Sequence, residues 1–130
     1  MFLNPLSGQE GFQRILLNDH FLCAYITHSS KYAYGKITSV KRHLTSQEVF
    51  VLLEGKGTVL TAQPDWSEKS IVELKKGTPF CVDAGMWHYL AVSEDAVVFV
   101  IENSDVTAQN SEEKYLEEPY EILCGISDAR

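Results

Sequence analysis

GKITSVKRHLTSQEVFVLLEG, residues 35–55, sets out Gly35, Lys41, His43, Glu48 and Gly55 at fixed distances, and GTPFCVDAGMWH, residues 77–88, sets out Gly77, Asp83, Gly85 and His88. Positions 41 and 43 are two apart in a strand-like run, so both side chains leave the backbone on one face. Glu48 opens the apolar run EVFVLL and shares its face with Phe50 and Leu52. His88 follows Gly85, a residue that permits a tight turn. With the shared face turned inward, His43, Glu48 and His88 converge. Two imidazoles and one carboxylate with open positions suit a divalent first-row metal, so these three are the candidate metal ligands. Lys41 points the same way, but a protonated ammonium has no lone pair and repels a cation. Two arrangements stay open: three ligands hold the metal beside an unfavourable neighbour, or no metal is held and Lys41 pairs with Glu48. A desolvated lysine is also a base or nucleophile. Lys41, Glu48 and His88 are therefore the candidate catalytic residues.

Outward from these segments the chain reads as strands. Phe21–Thr27 and Tyr32–Val40 are apolar and β-branched, and Glu48–Leu53 with Gly57–Ala62 has hairpin spacing through Glu54, Gly55 and Lys56. Ser70–Leu74, Thr78–Val82, Trp87–Val92 and Ala96–Glu102 continue the series. Short strands at intervals of about ten residues predict an all-β sandwich or barrel. Ser111–Leu116, a serine followed by acids, reads as a short capped helix or turn before a last strand near Tyr120–Leu123. Residues 5–18 read as a helical or irregular lead-in.

The 130 residues fit one domain spanning 1–130, and 45% apolar with 22% charged residues is ordinary globular composition. No apolar run reaches membrane-spanning length, and the first residues lack a basic start followed by an apolar stretch. Cys23, Cys81 and Cys124 are odd in number and scattered, which predicts buried thiols in a reducing cytoplasm rather than a disulfide framework. The net charge of −7 argues against nucleic acid as a partner. Residues 1–93 carry nine Lys/Arg against eight Asp/Glu, and residues 94–130 two against ten, so the negative excess lies in a tail expected to form a solvated cover. His20 and His28 have no spaced partner and read as surface or turn residues. Trp87, Tyr32 and Tyr34 are candidates to line a pocket, although aromatic residues in small barrels are more often core. Lys41 and Arg42 occupy alternate faces, so only one of them reaches the site.

The two spaced segments resemble the paired motifs of the cupin superfamily, with Lys41 at the first histidine, Asp83 at the proline and Val92 at the last asparagine; twenty-one residues separate them. The resemblance implies a jelly-roll barrel, or double-stranded β-helix, with a small-molecule ligand in its mouth, no organic cofactor, and a homodimer. Within the superfamily, the stretches Arg42–Phe50 and Met86–His88 resemble ureidoglycolate lyase over about half of the chain, with Arg42, His43, Trp87 and His88 as the matches and Glu48 where that family has glutamine. That likeness implies a lyase in which a metal or Lys41 neutralises a small hydroxy acid and His88 or Glu48 moves the proton. Trp87-His88 and Ser93–Ile101 are also similar to nucleotide-sugar ketoisomerases, which work without metal through His and Tyr and have His-x-His where this chain has Lys41-x-His43. A non-catalytic binding module is the third reading.

Overall fold

The fold is described from a computed structural model covering residues 10–125. The described residues form strands β1 (Phe12–Leu17), β2 (Phe21–Thr27), β3 (Gly35–His43), β4 (Glu48–Glu54), β5 (Gly57–Ala62), β6 (Ser70–Glu73), β7 (Phe80–Val82), β8 (Trp87–Val92), β9 (Val97–Asn103) and β10 (Ser111–Ile122), with 3-10 turns at Ser30–Tyr32 and Ala108–Asn110. They build a jelly roll of two antiparallel sheets, ordered β1-β2-β9-β4-β7 and β10-β3-β8-β5-β6.

Two apolar clusters follow from the strand period. Leu22, Ala24, Ile26, Phe50, Leu52 and Leu90 fill the space between the sheets. On the opposite face of the second sheet, Val40, Leu60, Trp87 and Ala91 form another cluster, covered by Trp66, Leu116 and Tyr120. Val59 and Leu60, like Leu90 and Ala91, fall in different clusters, so β5 and β8 are covered on both faces. This explains why GTVLTA is buried throughout instead of alternating with water.

Several expectations are corrected. β4 and β5 are not a hairpin: β4 pairs with β9 and β7, whereas β5 pairs with β6 and β8. The Glu54-Gly55-Lys56 link therefore carries the chain from one sheet to the other. Gly55 takes φ +74° there, and a Cβ would lie 2.7 Å from the Ala96 Cα. Residues 12–17 are a strand rather than a lead-in, because Phe12–Leu17 pairs along β2; residues 5–9 lie outside the described residues. Ser111–Leu116 is extended, not a capped helix. The cap belongs to Thr107, whose hydroxyl and Asn110 close a capping box on the preceding turn, leaving Ser111–Tyr115 to pair with Ser39–His43. The acids of Ser111–Ile122 thus lie exposed on an edge strand beside β3, whereas Glu102 of the same tail is buried in β9. Cys23 is buried as expected, but Cys81 and Cys124 are exposed.

Candidate functional site

Strand pairing places each site residue. Lys41 on β3 lies opposite His88 on β8, and Glu48 on β4 lies opposite Glu102 on β9. Gly85, at φ +85°, donates its N–H to the His43 carbonyl at 2.8 Å, which fastens the second sequence motif to the end of the first. The three residues expected to converge do so: ligand atoms of His43, Glu48 and His88 all lie within 4.8 Å of one another. Glu48 Oε1 is 2.9 Å from His88 Nε2 and 3.4 Å from His43 Nε2, and the two rings are 5.5 Å apart.

Glu102 is a fourth member that the sequence reading missed, with Oε2 3.5 Å from His43 Nε2. Its signal was available: it is an acid in the inward phase of an apolar strand, in step with Val98 and Val100. Glu48 and Glu102 are 6% and 8% exposed, and neither Glu48 Oε1 nor Glu102 Oε2 accepts an aligned hydrogen bond.

The electrostatics follow from this crowding. Burial works against a Glu48 anion, but the facing imidazoles of His43 and His88 outweigh it and hold the carboxyl well below the usual range. Glu102 lacks such support. Burial first, and then the Glu48 charge, push it up to about 7. The Glu48 contact raises His43 against the opposing effect of burial, with Glu102 adding and Lys41 subtracting. Tyr32, facing the same space, is pushed up to about 12 by burial and then by the charges of Glu48 and Glu102.

These groups border a cavity of about 840 Å³ that reaches between the sheets. Lys31, Lys36 and Lys41 line its wall, and all three are exposed. Of the two arrangements left open, the Lys41 pair with Glu48 is not formed, because the imidazoles occupy the approach to that carboxylate, and none of the three lysines makes an ion pair among the described residues. Arg42 points to the opposite face, as the strand period requires. There it pairs with Glu112 and lies 4.4 Å over the Trp87 ring, whose indole N–H donates to the Pro64 carbonyl at 3.0 Å. Trp87 is core, and Tyr32 both packs against the core between the sheets and lines the cavity.

No protein-family model matches the chain. No curated protein matches it either. Solved structures do. A cupin-2 domain protein from Shewanella frigidimarina superposes with a TM-score of 0.53 at 19% identity, covering 75% of this chain and 85% of that one. A double-stranded β-helix protein from Klebsiella pneumoniae gives 0.56 at 15%, covering 89% and 86%. The fold is that of the cupins. The sugar 3,4-ketoisomerase QdtA from Thermoanaerobacterium thermosaccharolyticum, solved with TDP, gives 0.57 at 20%, covering 69% of this chain. The chain spans only 64% of QdtA, under two thirds of its length.

The donor set of this cupin barrel fits a divalent cation. Two donors about 2.1 Å from one ion sit about 3.0 Å apart at a right angle and about 3.4 Å apart at the tetrahedral angle, the range spanned by the Glu48 contacts. The outer ring nitrogens are occupied as metal-bound imidazoles require: His43 Nδ1 is 2.9 Å from Ser111 Oγ, and His88 Nδ1 is 3.4 Å from the Met86 carbonyl. A carbonyl only accepts, so His88 Nδ1 carries the proton. His88 Nε2 then meets the Glu48 carboxylate at 2.9 Å, a contact that calls for a proton or a cation between the two.

Proposed function

We propose that residues 1–130 form a single cupin domain that binds an anionic small molecule of carbohydrate type and carries out acid–base chemistry on it. The supporting observation is one cavity with buried Glu48 and half-buried His43 and His88 at its floor and three lysines without ion pairs on its wall. Cavities of this size suit a whole metabolite with a few placed polar groups. Lys36 and Lys41 draw the anionic end in. Glu48 stays ionised and orients the imidazoles. His88, with His43 beside it, moves a proton to or from the reacting carbon or oxygen. The sugar ketoisomerases among the fold neighbours favour a carbohydrate over ureidoglycolate, and Lys41-x-His43 in place of their His-x-His distinguishes this site from theirs.

The donor separations favour a second reading of the same floor, a divalent cation held by His43, Glu48 and His88. Bound there, it would supply a Lewis acid for a substrate oxygen. The partner expected from the resemblance also gains support. Val49, Val51 and Leu53 on β4, with Phe99 and Ile101 on β9, leave an apolar, half-buried outer face on the first sheet, which suits a second copy of the chain.

The test is a thermal-shift screen of TDP, sugar phosphates and uronic acids, with hits incubated in D2O and followed by NMR. Stabilisation by an anionic sugar, with solvent deuterium entering the ligand and lost in His88→Ala, supports catalysis. Stabilisation without exchange supports the binding module. No stabilisation by any anionic sugar overturns the carbohydrate reading.

A further inference from the structure

Glu48 and Glu102 are directly opposed in the β4–β9 ladder, both buried, each with one carboxylate oxygen that accepts no aligned hydrogen bond. Like charges placed directly across a ladder repel, and burial deepens the penalty. The cations around them do not answer it. Lys41 and Arg14 are exposed and pair with neither carboxylate, and Arg42 is committed to Glu112 on the other face. His43 Nε2 faces both, 3.4 Å from Glu48 Oε1 and 3.5 Å from Glu102 Oε2. One imidazolium balances only one anion, so with no cation present the second carboxyl of the pair keeps its proton. A divalent cation balances both.

We propose that Glu102 is the fourth protein ligand of a divalent cation held with His43, Glu48 and His88, replacing the imidazole that Lys41 withholds from the motif. This rests on the cation reading given above and goes beyond it by assigning a two-histidine, two-carboxylate set. Its charge is complementary to a doubly positive ion, and carboxylates extend its range toward hard metals such as Mn(II). Lys41, standing in solvent, need not leave for the ion to bind.

Full-length protein, stripped with chelator, is titrated calorimetrically with Mn(II) and with Zn(II), as wild type, Glu102→Gln and Glu48→Gln. Wild type is expected to take up one equivalent. Both variants should bind at least about tenfold more weakly, since losing even an outer partner of a metal ligand costs about 10–100-fold. Metal-free Glu102→Gln should melt no lower than wild type, because one buried carboxylate has gone. Affinity in Glu102→Gln within twofold of wild type overturns the Glu102 assignment and leaves the three-ligand reading standing. Uptake of neither metal by wild type overturns both. Should the variant fail to fold, the infrared difference spectrum of wild type on Mn(II) loading decides: two perturbed carboxylates support the assignment, and one overturns it.

Discussion

The floor and the wall of the cavity carry charged groups of opposite sign under opposite physical conditions. Glu48 and Glu102 sit on β4 and β9, each paired on both sides within its sheet and almost closed to solvent. Lys31, Lys36 and Lys41 sit on the Ser30–Tyr32 turn and on β3, in water. Burying ionised groups is costly unless neighbours compensate, so the floor has few tolerated arrangements and its groups are fixed relative to one another. Exposed lysines act through a screened field with little positional demand. Under the proposed function, this contrast would put the chemistry on the floor and the capture of an anion on the wall.

The largest effect expected from this contrast is at Glu48. Replacing it with alanine leaves His43 and His88 facing an empty place, and breaking a buried pair from one side costs about 3–5 kcal/mol. Urea unfolding measures this, and a loss below about 1 kcal/mol would place the floor in the same class as the wall. His88→Ala comes next. It is expected to keep the fold and to lower any turnover about 100-fold or more, the contribution of a positioned proton carrier. Turnover close to wild type would remove His88 from the reaction.

Much of this contrast was legible in residues 35–55 and 77–88. His43, Glu48 and His88 were found from spacings that resemble the cupin motifs, while a strand's period of two put positions 41 and 43 on one face. Glu102 was not found: a single inward acid at the end of VVFVIE has no spaced partner in sequence, and its meaning appears only when the β4–β9 register sets it against Glu48. Register is a long-range property. The same reason explains the false hairpin, since the Glu54-Gly55-Lys56 spacing is local, whereas the choice of partner belongs to distant β8 and β9. Ser111–Leu116 was misread because serine before acids signals a cap, and the competing β3 edge is invisible from the segment itself.

The pH dependence of the metal-free protein sharpens the description of the floor. Glu102 keeps its proton up to about pH 7 when folded, whereas an unfolded carboxyl releases it near the ordinary value of about 4.3. In that window the folded state holds the extra proton, so stability falls as pH rises. His43, raised by its contact with Glu48, acts in the same sense: its contribution is complete below about pH 6.5 and fades as pH climbs through its folded value. Glu48, held low, contributes above the ordinary carboxylate range and loses that contribution on acidification. Unfolding free energies from about pH 5 to about pH 8 should therefore descend in wild type and descend less in Glu102→Gln. Equal slopes would break the link between burial at Glu102 and its raised value.

The smallest effects belong to the wall. Lys36→Ala and Lys41→Ala each remove an exposed ammonium that makes no ion pair in the fold, so neither should change stability by more than about 0.5 kcal/mol. Each should weaken an anionic ligand by only about two- to fivefold, the range of an exposed charge pair. Salt separates attraction at a distance from a fixed contact. At about 1 M ionic strength the screening length shrinks to about 3 Å, and the difference between wild type and each lysine variant should vanish. A loss in Lys41→Ala that survives such salt, or that exceeds about tenfold, would mean that the ammonium meets the ligand directly beside His88. Lys41 would then belong with the floor, and its place opposite His88 in the ladder would be its functional position rather than a by-product of strand register.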